Sequence, residues 1–194
     1  DKRRYQLEAL RPYLPDMRSR LEQLQEREKV PLKSLIWKVI YDLNPYNRDI
    51  AKIIEIRMSY SLNPAEFLKQ ARTEQTKAKI YLEYLHREEK AMEEASSLRQ
   101  QETSPRWQAN YDLIYAQIIA YQARIYEYGA YLDTFIQKPK VVPLTKGPNT
   151  KLSHWDITTR KQLVAVEVSQ PYIDKATKMF QQIIKEHPGT PWAE

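Results

Sequence analysis

Glycine and cysteine are scarce in this 194-residue chain, which has three glycines and no cysteine. At an average usage of about 7%, roughly 14 glycines would be expected in a chain of this length. Gly129, Gly147 and Gly189 lie too far apart to supply the clustered backbone amides of a dinucleotide-binding or phosphate-binding loop. A chain without cysteine has no thiolate nucleophile, no disulfide and no zinc site built on thiolates. So few glycines also leave few tight turns, which predicts a helical protein.

Histidine and long apolar runs are rare as well. His86, His154 and His187 are too far apart for the paired histidines of a zinc protease. Glu83 and His86 have the spacing of one half of a di-iron site, but no second pair accompanies them, so a solvated helix face is favoured over a metal site. No apolar stretch approaches the roughly 20 residues of a membrane span. The sequence therefore predicts no catalytic residue, no cofactor and no metal, and we expect the protein not to be an enzyme.

Charge and hydrophobic content are those of an ordinary globular chain. The 31 Lys and Arg residues outnumber the 25 Asp and Glu residues, which gives a formal net charge of +6, and 42% of the chain is hydrophobic. A chain of this length can bury a substantial core. It begins with Asp1 rather than methionine, so we expect a processed chain or a fragment.

Residues 1–63 are predicted to form short helices. The tripeptide Leu-Asn-Pro occurs at residues 43–45 and again at 62–64, and each copy marks a helix boundary because proline disfavours helix in the residue before it. After the second copy, neither glycine nor proline occurs up to about Gln101, and helix-forming residues dominate. That stretch predicts one long helix. The predicted helices of this half of the chain span residues 16–29, 31–43, 48–61 and 64–101.

The most regular pattern in the sequence follows Ser104 and Pro105, which restart the chain as a helix cap and first helical position. Apolar and aromatic residues then alternate in steps of four and three, as they do along the seam of packed helices. Because the connection is short, residues 64–137 are predicted to form a long antiparallel helical hairpin in an all-α fold. Small residues between Ala116 and Ala130 form a second surface, which another helix can approach closely. The predicted seam consists of Trp107, Tyr111, Ile114, Ile118, Tyr121, Ile125, Tyr128, Leu132 and Phe135.

Residues 138–153 hold three prolines and one glycine and are predicted to be an extended basic arm. From Lys138 to Gln162 the chain has six basic residues and one acid, Asp156. Charge of one sign beside apolar side chains suits docking on an acidic partner or an anionic surface, and an unbound linker is the other interpretation. The predicted contacts of the arm are Lys138, Lys140, Val141, Val142, Leu144, Lys146 and Lys151.

Residues 154–194 are predicted to form a helical C-terminal segment. Ser153 can cap a helix that runs through Trp155. Residues 163–168 fit either a helix or a short strand, and the helix is favoured because no partner strand is evident. A final helix is predicted after Pro171.

Residues 171–194 resemble the second helix of a tetratricopeptide-type repeat and the start of the next repeat. Ala176, Phe180 and Pro188 have the small, large aromatic and proline spacing of that repeat. The ending His-Pro-Gly-Thr-Pro-Trp-Ala-Glu also resembles the inter-repeat corner of bacterial envelope-assembly proteins and, more faintly, the helical tails of bacterial von Willebrand type A proteins. The resemblance implies an interaction scaffold whose chain continues beyond its last residue. Trp192, a large aromatic at an open end, is expected to anchor a partner.

Taken together, these features predict a non-catalytic helical scaffold or assembly subunit that binds protein partners within a larger assembly. The alternative is a binder of anionic surfaces or nucleic acid that acts through residues 138–162. Nucleic acid is disfavoured because the tyrosine-rich helix carries two arginines against three acids and lacks a basic groove. The compartment stays open, and the resemblance favours the bacterial cell envelope or periplasm over the cytoplasm.

Overall fold

The computed structural model describes residues 5, 7–15, 17–26, 28–44, 46–139, 154–159 and 161–194. Within these ranges the chain is mainly helical and forms one small two-stranded sheet. Two long helices pack against each other and a third packs beside them, so the prediction of an all-α fold with a long helical hairpin is confirmed. No helix in these ranges is both long enough and apolar enough to cross a bilayer.

Short helices precede the hairpin, as predicted. They are α1 (Leu7–Leu10), a 3₁₀ turn (Arg11–Tyr13), α2 (Arg20–Gln25), α3 (Pro31–Asp42) and α4 (Arg48–Ile54). Ser19 and Glu22 cap α2 reciprocally, because the Ser19 hydroxyl accepts the Glu22 amide hydrogen at 3.2 Å and the Glu22 carboxylate accepts the Ser19 amide hydrogen at 2.6 Å. Helix α2 is therefore shorter than the predicted 16–29.

Two strands stand where the sequence predicts helix. Strand β1 (Ser59–Ser61) pairs antiparallel with β2 (His154–Asp156), with Tyr60 opposite Trp155. The predicted helix over 48–61 is therefore wrong beyond Ile54, and the predicted helix through Trp155 is wrong as well. Local periodicity cannot reveal this pairing, because the paired residues Ser59 and Asp156 are 97 positions apart in the chain.

The hairpin consists of α5 (Pro64–Glu94), α6 (Ser96–Gln101) and α7 (Pro105–Gln137). Asn63 caps α5, since its side-chain oxygen accepts the amide hydrogens of Ala65 and Glu66 at 3.0 and 3.2 Å. The single helix predicted over 64–101 is interrupted at Ala95, whose amide is shared between two carbonyls of the preceding turn. The two helical pieces therefore stand where one was predicted.

The seam of the hairpin is buried at most of its predicted positions. Ile118 and Ile125 are each 1% exposed and share the main hydrophobic core with Leu85 and Met92 of α5. Tyr121 departs from the prediction, because 39% of it is exposed. The buried seam residues are Trp107, Tyr111, Ile118, Ile125, Tyr128 and Leu132, and Ile114 and Phe135 are partly buried.

Helix α8 (Val166–Glu186) packs along α7. Ala116, Ile119 and Ala123 are buried outside the hairpin core at spacings that place them on one side of α7. They lie on the small-residue surface where the sequence predicts a second helix. The sequence predicts that the final helix starts after Pro171. Helix α8 instead begins before that proline, because Glu127 of α7 caps the additional turn.

Candidate functional site

The predicted basic arm, residues 138–153, has only its first two residues in the described ranges. Lys138 is exposed and follows α7 directly, and its amide donates a hydrogen bond to the Thr134 carbonyl at 3.1 Å. The other predicted contacts of the arm lie outside the described residues and stay predictions; they are Lys140, Val141, Val142, Leu144, Lys146 and Lys151.

The predicted anchor Trp192 is half-buried against other parts of the same chain. Its indole Nε1 donates a hydrogen bond to the Asn110 side-chain oxygen at 2.9 Å. Its ring stacks on Tyr13 with the centroids 5.3 Å apart, and the Arg106 guanidinium lies 5.6 Å from the ring centroid. A cavity of about 720 Å³ opens beside these residues and is lined in part by α1. The N-terminal turn thus covers one face of the indole that was expected to stand open.

A continuous apolar groove follows α7. Three cavities of about 300, 260 and 270 Å³ adjoin one another. The first two share Leu43 and Tyr121, and the second and third share Ile56, Met58 and Arg124. We name this depression the α7 groove. Its floor is α7, and its walls come from the end of α3, the segment before β1 and the segment between β2 and α8.

Large apolar side chains remain exposed along the α7 groove. Ile40 is 42% exposed and Tyr121 39% exposed at one end. Met58 is 40% exposed and Val164 45% exposed at the other. Large contiguous apolar patches are typical of interaction surfaces, whereas single exposed apolar side chains are ordinary.

Arg124 is the cation of the α7 groove, and it lines two of the three cavities. Within the described part of the chain, its exposed guanidinium takes part in neither a hydrogen bond nor an ion pair. The charge of Arg124 also acts on Tyr81. Burial and the neighbouring Tyr121 raise the pKa of Tyr81 to about 12, and Arg124 opposes that rise. The α7 groove therefore contains a cation, Arg124, that pairs directly with no carboxylate of the described residues, and an acid, Glu127, that lines the cavity next to α8.

Glu127, the acid nearest to Arg124 in the sequence, forms hydrogen bonds with other residues. Glu127 accepts the amide hydrogens of Val164 and Ala165 at 2.6 and 2.9 Å and also accepts the hydroxyl hydrogen of Ser169. Burial alone would raise the pKa of Glu127, but these three hydrogen bonds outweigh it and hold the pKa below its usual range. Glu127 thus caps the first turn of α8 from outside that helix.

A second cluster of charged groups joins α5, α7 and α8. The Lys175 Nζ lies 2.7 Å from the Glu89 carboxylate and 3.2 Å from the Glu93 carboxylate. Gln122 is fully buried and donates from Nε2 to Glu89 at 2.6 Å, while its Oε1 has no hydrogen-bond partner among the described residues. Burial raises the pKa of Tyr115, which donates to Glu93, to about 12. Lys175 thus pairs with two carboxylates of α5, and the contacts of this cluster join α5, α7 and α8.

A third cluster, formed by Asp112, Glu186 and His187, has the ligand types of a metal site, with ligand atoms within 4.8 Å of one another. Arg99 already bridges the two carboxylates, with Nη2 2.7 Å from Asp112 and 2.8 Å from Glu186. His187 Nδ1 also lies 2.8 Å from the Tyr13 hydroxyl. The arrangement therefore suits a guanidinium cation supplied by the chain itself.

The candidate half of a di-iron site also finds other partners. Glu83 is exposed, and the His86 ring points to two tyrosines, with Nε2 3.3 Å from the Tyr126 hydroxyl and 3.5 Å from the Tyr172 hydroxyl. Tyr126 and Tyr172 stack with centroids 5.5 Å apart. His86 thus lies in an aromatic contact between α5, α7 and α8.

The sequence did not single out the residues of the α7 groove. Ile40, Met58 and Val164 belong to three distant segments, and Tyr121 was assigned to the buried seam. Met58 lies beyond the end of α4, in the part of the predicted helix 48–61 that is not helical. Comparison of the chain with protein-family models, with curated proteins and with solved structures finds no match.

Proposed function

We propose that the protein is a helical scaffold or assembly subunit that binds other proteins through the α7 groove and catalyses no reaction of its own. The observation that carries this proposal is that three neighbouring cavities, lined mainly by apolar side chains, share lining residues beside the exposed side chains of Ile40, Met58, Tyr121 and Val164. Removal of such an apolar surface from water by a partner lowers the free energy and so favours binding.

The length of the α7 groove favours a macromolecular ligand. Its floor extends from Ile114 to Tyr131, which is roughly 25 Å at 1.5 Å per residue. A small molecule is usually enclosed in one compact cavity that covers most of its surface. Three shallow cavities in a row suit a segment of another protein better.

The charged clusters support a role without catalysis. Lys175 is paired with Glu89 and Glu93, and Arg99 is paired with Asp112 and Glu186. Catalytic acids and bases need a protonation state matched to a substrate that can reach them. Ion pairs between helices instead stabilise the arrangement of those helices.

Site-specific photo-crosslinking tests the proposed function. The full chain carries p-benzoylphenylalanine in place of Tyr121 and is irradiated in an extract of its native source. The matched control places the same photoreactive residue at Tyr46, which is 91% exposed and does not line the groove. Protein adducts are expected at position 121 and absent or much weaker at position 46. The same adducts at both positions, or no protein adduct at 121, would contradict a protein-binding groove.

A further inference from the structure

The α7 groove has a helical floor, and this restricts what can bind in it. The backbone amides of α7 are used within the helix, so an extended segment finds no row of free amides and carbonyls to pair with along the floor. A helix keeps its own backbone hydrogen bonds and contributes only side chains. At roughly 25 Å, the groove accommodates about five helical turns. A helical occupant therefore fits this surface without leaving backbone groups unpaired.

Arg124 restricts the chemistry of that helix. It lines both the middle cavity and the cavity next to α8, so a helix that fills both must cover it. Covering an unpaired guanidinium with apolar atoms removes its hydration water without providing a new hydrogen bond or counter-charge, and this costs free energy. Glu127 also lines the cavity next to α8, but its carboxylate accepts hydrogen bonds from Val164, Ala165 and Ser169 and does not pair directly with Arg124. A carboxylate of the occupant would give Arg124 the direct partner that the described residues do not provide.

Two further basic residues are next in the chain to residues that line the groove. Arg57 lies in the chain between Ile56 and Met58, which line the groove, and its side chain is exposed. Lys161 is exposed next to Gln162, which also lines it. Carboxylates at the border of the apolar face of a partner helix would meet this charge, and a carboxylate can pair with an arginine through two parallel hydrogen bonds.

We infer that the α7 groove binds an amphipathic helix of a partner protein, whose apolar face carries an Asp or Glu that pairs with Arg124. This inference rests on the proposed function and specifies the partner. Aliphatic side chains on both sides of the acid fill the cavities lined by Tyr121 at one end and by Val164 at the other. The acid provides specificity, because a neutral or basic helix leaves Arg124 covered and unpaired.

Two synthetic peptides test this inference on the full chain. Both are about 18 residues long, with Leu at helical spacings that form one apolar face. One peptide has Glu at the positions that border that face, and the other has Lys there. Fluorescence anisotropy measures their binding to the wild-type protein, to Arg124→Glu and to Arg72→Glu. Arg72 is the matched control, since it is an exposed arginine of α5 that does not line the groove. Circular dichroism first establishes that both variants are folded.

The Glu peptide is expected to bind the wild-type protein at least about tenfold more tightly than the Lys peptide, which corresponds to about 1.4 kcal/mol. Arg124→Glu should reverse that preference, and Arg72→Glu should retain it. Equal binding of the two peptides, no binding of either, or the same change in both variants would overturn the inference. If the peptides fail in this way but position 121 still forms crosslinks to protein, the proposed function is retained and the partner is not an acidic helix.

A second copy of the chain is the competing occupant. Sedimentation velocity of the wild-type protein and of Tyr121→Glu distinguishes this case. If the wild-type protein forms a dimer that Tyr121→Glu abolishes, and the Glu peptide does not dissociate that dimer, the groove is a self-association surface and the inference is wrong. A monomeric wild-type protein that binds the Glu peptide supports it.

Discussion

Glu127 of α7 caps the N-terminus of α8, where its carboxylate accepts a hydrogen bond from the hydroxyl of Ser169. The residue at the cap position itself, Ala165, has no side chain that can do this. A helix begins with amide groups that lack partners inside the helix, and negative charge near them is stabilising. Glu127 supplies both an acceptor and a charge, so α8 starts one turn before the proline that would otherwise mark its beginning.

Replacement of Glu127 by alanine is expected to lower the free energy of unfolding by about 1–2 kcal/mol, the usual cost of losing a helix cap. Urea unfolding followed by circular dichroism measures this change. Asp133→Ala is the matched control, because Asp133 is an exposed acid of α7 that bonds within its own helix to Gln137. Equal losses in the two variants would show that Glu127 does not act as a cap.

The same contact makes stability depend on acid. The pKa of Glu127 in the folded protein lies below its value of about 4.3 in the unfolded chain, so the carboxylate contributes its full stabilisation above that pH. The contribution is lost as the pH falls through the folded-state pKa. The difference in unfolding free energy between wild-type protein and Glu127→Gln should therefore stay constant above about pH 5 and shrink between about pH 5 and pH 3. A difference that stays constant over this range would contradict the assignment.

Truncation of the hairpin seam should be more costly than any single surface change. Ile118→Ala and Ile125→Ala are each expected to cost about 2–5 kcal/mol, because each removes buried methylene and methyl groups and leaves a cavity. Ile184→Ala, on an exposed position of α8, should change the free energy of unfolding by less than about 0.5 kcal/mol. Thermal or urea unfolding measures all three, and unchanged midpoints in the two seam variants would place the seam outside the core.

Tyr60 and Tyr128 share a buried polar contact that joins β1 to α7. Their hydroxyl oxygens are 2.5 Å apart, and the Tyr128 hydroxyl also donates to the Arg57 carbonyl at 2.9 Å. Tyr128→Phe leaves that carbonyl and the Tyr60 hydroxyl without this partner, and it should cost about 1–3 kcal/mol. Tyr46→Phe, at an exposed position, should cost almost nothing. If both variants unfold at the wild-type denaturant concentration, the contact contributes no stability.

The burial of Tyr60 also predicts a loss of stability in alkali. Burial raises the pKa of Tyr60 to about 12, so the folded protein favours the neutral phenol. The resulting stabilisation is complete below the unfolded-state pKa of about 10 and is lost as the pH rises toward 12. Tyr60→Phe should flatten the decline of the unfolding free energy in that range, and an unchanged decline would contradict the assignment.

Trp192 holds the N-terminal turn, through its stacking on Tyr13 and the hydrogen bond from its indole to Asn110. Trp192→Ala should increase amide hydrogen exchange in residues 7–15 and leave the helicity of the hairpin unchanged. Hydrogen exchange with mass spectrometry resolves the two regions. Faster exchange throughout α7 as well would place Trp192 in the main core.

Much of the fold follows from local pattern. The steps of four and three along α7 predict which side of that helix is buried, and Ile118, Ile125 and Leu132 are buried accordingly. Asn63 and Pro64 predict the start of α5, because both residues suit a helix N-terminus. These features depend on neighbours within one or two turns, which a sequence displays directly.

The features that the sequence did not predict depend on residues far apart in the chain. Tyr121 continues the heptad steps, yet it faces the groove because the end of α3 and the segment before β1 leave it uncovered. Glu127 resembles any other exposed acid until α8 lies beside it. The strand pair and the α7 groove likewise arise only when distant segments meet, so no periodicity of one segment could have located them.

The pairing of Ser59 with Asp156 has a consequence for the order of folding. It closes a loop that contains both long helices of the hairpin, and the entropy lost on closing a loop grows with the length of flexible chain in it. Once α5 and α7 have packed together, most of that chain is rigid and the remaining gap is much shorter. Contacts between neighbouring helices form quickly because they are local, whereas this contact must wait for them. The two short strands therefore pair late in folding, and in refolding their amides should gain protection from exchange only after those of the hairpin.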